Sequence, residues 1–151
     1  MNIYQCIQRL MEGKMDEAEH IRREVLTNGT DDERYALAEE LQNLGFLEEA
    51  LELYEKVLEN NPEEGGLLVS IAEVYIDMNN EDEALVTLEK MDRNDPAYVE
   101  ALLLLADLYE AQGLFEVSEQ KLLEAEKLAP EEPVIQFALA EIGRASCRER
   151  V

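Results

Sequence analysis

The sequence repeats itself every 34 residues, and few folds satisfy that constraint. Pro62, Pro96 and Pro130 stand 34 apart. Small residues keep the period at Ala38, Ala72, Ala106 and Ala140. Large apolar residues run beside them at Leu37, Ile71, Leu105 and Leu139, and at Leu41, Tyr75 and Tyr109. A turn column follows, Gly45, Asn79, Gly113, then a second small column, Ala50, Ala84, Ser118. Two more columns close the pattern: Tyr54, Leu88, Leu122 and Val57, Met91, Ala125. A period of this length held without a gap means stacked copies of one supersecondary unit. One such unit cannot cover its own apolar face, so its neighbours must.

Each unit carries two helical patterns. Tyr35, Leu37, Ala38, Leu41 and Leu44 form an apolar stripe at helical spacing. Gly45 then ends the helix in the left-handed conformation glycine tolerates. Leu47, Ala50, Leu51, Tyr54, Val57 and Leu58 form a second stripe, and Pro62 ends the unit. Thr30 with Glu33 reads as a capping box, and Asp95 before Pro96 reads as an N-cap with a first-turn proline. The small columns have a steric cause. Antiparallel helices joined by a tight turn approach closely, and a larger side chain at Ala38 or Ala50 would push them apart.

This pattern resembles the tetratricopeptide repeat (TPR). The resemblance covers full repeats at 31–64, 65–98 and 99–132, and a fourth that begins at Pro133 and is cut in its first helix, 133–141. Residues 1–30 read as a shortened capping unit, with Gly13 at its turn and Ala18 in its second helix. Its helices are expected at about 2–11 and 15–27, from the same 3.6-residue pattern. The implied fold is all-α, a right-handed superhelical solenoid of antiparallel helix pairs spanning 1–141. The stretch LLLLADLYEAQGLFEVSEQKLLEAEKLAPEEPVIQFALAE further resembles multi-repeat TPR proteins of low-GC Gram-positive bacteria.

The last ten residues, IGRASCRERV, break the composition. They hold three Arg and one Glu, against ten Lys+Arg and 35 Asp+Glu in the preceding 141 residues. The string resembles translated sequencing-adapter read-through (ATC GGA AGA GCG TCG TGT AGG GAA AGA GTG). Residues 142–151 are therefore read as a non-native tail to be left out of fold reasoning. The remainder then carries a charge of −25 and a single cysteine, Cys6. On this reading the natural protein is longer, and the exposed apolar face of a half-repeat predicts a frayed or self-associating C-terminus with Phe137 and Leu139 partly uncovered.

The charge excludes several functions. The whole chain has a net charge of −23, whereas a nucleic-acid phosphate backbone or an anionic lipid surface calls for a basic face. The longest apolar run, Ala101 to Ala106, falls well short of the roughly 18 residues of a membrane span. No signal peptide is visible, and a cytoplasmic location follows. One His and two unpaired Cys offer neither a disulfide framework nor a zinc site.

Chemistry is not indicated either. The many acids fall at solvent-facing helical positions such as Glu48, Glu49, Glu52 and Glu55, not across a cleft. No nucleophile elbow, phosphate loop or H-E-x-x-H is present. The run Asp77 to Glu83 is superficially like a calcium loop, but it lacks the central Gly and has Leu88 where the bidentate Glu belongs. His20 has no companions, and Cys6 shares an apolar stripe with Ile3, Ile7 and Leu10. No enzyme activity, cofactor or metal is expected.

The TPR resemblance implies a concave groove lined by first helices. Its positions here are Tyr35, Ala36, Glu39, Gln42 and Asn43; then Val69, Ser70, Glu73, Ile76 and Asp77; then Leu103, Leu104, Asp107, Glu110 and Ala111. Chaperone-binding members of the family clamp a C-terminal carboxylate with Lys, Arg and Asn. None of these fifteen positions is Lys or Arg. A clamp for an acidic tail is thus disfavoured. Apolar patches beside Glu39, Glu73, Asp107 and Glu110 suit a helical or extended segment with apolar anchors and basic flanks. The expected function is a non-catalytic protein-interaction scaffold. Two alternatives remain open: a regulatory or oligomerisation arm of a longer enzyme, and a chaperone for apolar client segments.

Overall fold

The structure, a computed structural model, describes residues 3–150. Every element among them is a helix: α1 (Ile3–Met11), α2 (Met15–Asn28), α3 (Asp31–Asn43), α4 (Leu47–Asn60), α5 (Gly65–Asp77), α6 (Glu81–Glu89), α7 (Tyr98–Ala111), α8 (Phe115–Leu128) and α9 (Pro133–Arg150). The expected helix start at residue 2, and residue 151, lie outside the described residues. Two compact units divide the chain, Met1–Asn79 with α1 to α5 and Asn80–Val151 with α6 to α9. The second repeat is shared out between them.

In the first unit the columns become a core. Leu37, Ala38 and Leu41 of α3 meet Ala50, Leu53, Tyr54 and Val57 of α4, all buried. Cys6, Ala18 and Val25 extend this cluster toward the N-terminus, and Leu67, Ile71 and Val74 of α5 extend it the other way. Ala38 and Ala50 have no exposed surface, as expected where two backbones meet. The hairpin turns use left-handed residues: Gly13 at φ 78°, Gly45 at φ 89° and Asn79 at φ 61°. Asparagine tolerates this region better than other side chains, which explains its place in a glycine column.

The predicted capping box at the start of α3 is formed in full. Thr30 Oγ1 accepts from the Glu33 backbone N–H at 3.1 Å, and the Thr30 N–H donates to Glu33 Oε1 at 2.9 Å. Two arginines that the pattern does not mark out are buried. Arg34 donates from Nε to the Leu26 carbonyl at 2.9 Å and pairs with Asp31, so it closes the end of α2 and ties it to α3. Arg22 grips Glu19 with two donors at 2.7 and 2.8 Å and reaches Glu52 at 3.2 Å.

In the second unit α7 and α8 form the hairpin, turning at Gly113 with φ 78°. Ser118 is fully buried in the small column and donates to the Ala106 carbonyl at 2.8 Å. Hence two small columns touch through a hydroxyl. The start of α7 corrects the sequence reading. Asp95 is not the N-cap; the helix begins at Tyr98, and Asp95 Oδ1 instead accepts from the Ala97 N–H at 2.8 Å in a turn that contains Pro96. The local side-chain bond displaces the cap by about half a helical turn.

The last helix also differs from expectation. It does not stop at residue 141 but continues to Arg150. Ile135, Ala138, Leu139 and Ile142 fall at helical spacing, and Ile142 is buried against Ala106 and Leu122. Phe137 remains exposed and Leu139 half-buried. Ala140 departs from its column: it is exposed, because no described helix of this unit packs on that side of α9.

Candidate functional site

In the first unit the expected groove positions of α3 and α5 come together. The Tyr35 hydroxyl lies 3.0 Å from Ser70 Oγ, and Gln42 Nε2 donates to Asp77 Oδ2 at 3.2 Å. These two rungs, each joining residues 35 apart in sequence, hold the first helices of successive repeats side by side. Tyr54 supports the face from behind. It is buried, its hydroxyl donates to Gln42 Oε1 at 3.2 Å, and its ring meets Tyr35 edge-on at 5.3 Å.

Between the rungs stand two acids. Glu39 is four residues after Tyr35 and three before Gln42; Glu73 is three after Ser70 and four before Asp77. At helical spacing this sets them on the same face, opposite one another. Both are exposed, as are Asn43 and Asp77, while Ile76 is half-buried. Burial pushes the Tyr54 hydroxyl pKa upward, and the charges of Tyr35, Glu39 and Glu73 add to the rise. Val69 is the exception among the expected positions: it is buried in the core and offers no surface to a partner.

The second unit has a more apolar face. Leu104 is half-buried on α7, with Asp107 exposed and Glu110 half-buried below it. Desolvation raises the Asp107 carboxyl pKa although its tip reaches water. Leu103, also half-buried, packs against Ile135, Leu139 and Ile142, so its main role is to join α7 to α9. Sequence reasoning missed two exposed apolar side chains here, Val134 and Phe137 on α9. The period held the signal, since Phe137 lies 34 residues after Leu103.

The sites tested for chemistry stay plain. Cys6 is buried, its thiol donates to the Ala18 carbonyl at 3.4 Å, and burial raises its pKa. His20 is exposed. Among the described residues no group of His, Cys, Asp and Glu could hold a metal ion, and no helix is long and apolar enough to cross a membrane.

Helix hairpins in 34-residue register, left-handed turn residues and small columns at the crossings define a class, and the chain is a tetratricopeptide-repeat protein. Residues 45–96 match the tetratricopeptide repeat and residues 110–142 match the family described as YpiA-like, tetratricopeptide repeats. At the level of individual proteins, the chain is similar to the TPR repeat-containing protein YpiA of Bacillus subtilis (strain 168), 46% identical over 112 residues. That alignment covers 74% of this chain and 26% of YpiA, so the chain spans about a quarter of that relative's length. PilF of Pseudomonas aeruginosa shares the fold with a TM-score of 0.72 at 17% identity, covering 97% of this chain and 68% of that one. The first TPR of Spaghetti (RPAP3), solved bound to the HSP90 peptide SRMEEVD, superposes with a TM-score of 0.66 at 17% identity, over 76% of this chain and 90% of that one.

Proposed function

We propose that this chain is a non-catalytic interaction scaffold whose first-helix faces take a helical or extended peptide segment with apolar anchors and Lys/Arg flanks. The observation that carries the reading is the composition of those faces. They expose Glu39, Glu73, Asp77 and Asp107 beside Tyr35 and Leu104, and none of the fifteen positions is a cation. The Spaghetti TPR was solved with an acidic peptide, SRMEEVD. A face without Lys or Arg lacks the donors that hold such carboxylates, and its own charge repels them. Electrostatic attraction here would speed encounter and set orientation, while burial of apolar anchors supplies affinity.

A cytoplasmic location is part of the same reading. Cys6 is buried and unpaired, as suits a reducing compartment. The decisive experiment measures binding of synthetic peptides by fluorescence anisotropy, a Leu/Lys peptide against a Leu/Glu peptide of the same length. The Leu/Lys peptide should bind, and Leu104→Glu should weaken it. Preference for the acidic peptide would overturn the reading, and so would binding of neither.

A further inference from the structure

The two units divide the labour of recognition, and the first can be read further. Resting on the reading above, we infer that the α3–α5 face of the first unit docks the basic part of a partner segment, with one Lys or Arg side chain seated between Glu39 and Glu73 and against Tyr35.

Three observations lead there. The first is what the face lacks. Val69 is buried, the exposed apolar groove residues belong to the second unit, and only Tyr35 and Ile76 give this face partial apolar surface. A purely apolar anchor has nothing to fill here. The second is shape. The Tyr35–Ser70 and Gln42–Asp77 rungs fix the flanks of the seat, and Tyr54 locks Gln42 from behind, so the acids stand on a preorganised floor. A tyrosine ring at the edge of a carboxylate pair is a good surface for a guanidinium or ammonium stem.

The third is charge. The six Lys and Arg side chains of the first unit are each held by a carboxylate at Glu12, Glu17, Glu19, Asp31, Glu52 or Glu59, so Glu39 receives none of these pairs. The unit has no spare cation of its own, and a partner's cation completes the face. The seat differs from a carboxylate clamp in the sign of every group.

The test uses the full chain with a Leu/Lys/Arg peptide and its counterpart with every Lys and Arg replaced by Gln. Anisotropy is followed at low and high salt for the wild type, for Glu39→Gln with Glu73→Gln, and for Leu104→Glu. Both glutamates are exposed, so the double variant keeps its circular dichroism spectrum. It should bind the basic peptide about tenfold more weakly, with a shallower salt dependence. The Gln peptide should bind wild type and double variant alike. Unchanged affinity and salt slope in the double variant overturn the seat. If Leu104→Glu then still abolishes binding, the wider scaffold reading survives without it; if no variant and no peptide charge matters, both fall.

Discussion

Replacing Tyr54 with Phe should destabilise the protein at neutral pH and spare it at alkaline pH. The side chain is 1% exposed, and only its hydroxyl oxygen is removed. The lost bond to Gln42 Oε1 is long at 3.2 Å, and Gln42 is half-buried, so water can replace the donor. The cost at neutral pH is therefore about 1 kcal/mol. Truncation to Ala would instead cost about 3–5 kcal/mol through the cavity it leaves between α3 and α4. The alkaline limb has the opposite sign. In the unfolded chain a tyrosine titrates near 10. In the folded protein burial, then the Tyr35, Glu39 and Glu73 charges, hold the Tyr54 hydroxyl proton more tightly. Its contribution to stability is complete below the unfolded value and is lost as pH rises from there toward the folded one. The slope approaches about 1.4 kcal/mol per pH unit, and by about pH 11 the wild type has lost about 1.4 kcal/mol that Tyr54→Phe keeps. Urea midpoints followed by circular dichroism should thus favour the wild type near neutrality and converge or cross by pH 11. Tyr98, Tyr109 and Cys6 also have raised pKa values, but both proteins share them. Parallel loss of stability in the two proteins across the alkaline range would refute the reasoning.

Three further substitutions probe separate features by the same denaturation assay. Ser118→Ala should cost about 1 kcal/mol, because the Ala106 carbonyl keeps its helical partner, whereas Ser118→Leu should cost about 3 kcal/mol or more by forcing α7 and α8 apart. Arg22→Met should retain most of the stability that Arg22→Ala loses: Glu19 and Glu52 are half-exposed and can hydrate, so the cost is mainly that of the buried stem, about 2 kcal/mol for Ala. At the turns a Cβ on Gly45 or Gly113 meets nothing within 4 Å, so Ala there should cost only the left-handed strain of about 1 kcal/mol, while Asn79→Gly should be neutral within about 0.5 kcal/mol.

What the sequence showed and what it hid follow from the reach of the forces involved. The period located the small columns, the left-handed turns and the Thr30–Glu33 box because each depends on contacts that recur with every repeat. It placed Tyr35, Val69 and Leu103 in one column but not at one depth. Depth depends on how closely neighbouring helices approach, which is a property of the pair: Tyr35 reaches out to Ser70, Val69 sinks into the core, and Leu103 is taken up by α9. Arg22 and Arg34 were unmarked for the same reason. Their burial rests on partners 30 residues away or on the carbonyls of another helix. The rungs that flank Glu39 and Glu73 also cross between helices. Composition could say only that the face is acidic, not that two hydrogen bonds fix its floor.

The shortness of α6 has a consequence in time. It has nine residues where α4 and α8 have fourteen, so about 7.5 Å of helix is missing. The chain covers that gap with the Met91–Ala97 segment, held by single short-range bonds such as Asp95 N–H to the Asp92 carbonyl. Met91 alone of its first four residues is buried. Amide protons from Lys90 to Ala97 should therefore exchange with solvent well before those of α4 and α8, by openings that leave the hairpins intact. The repeat that breaks the regular length is where this protein should first become visible to a protease.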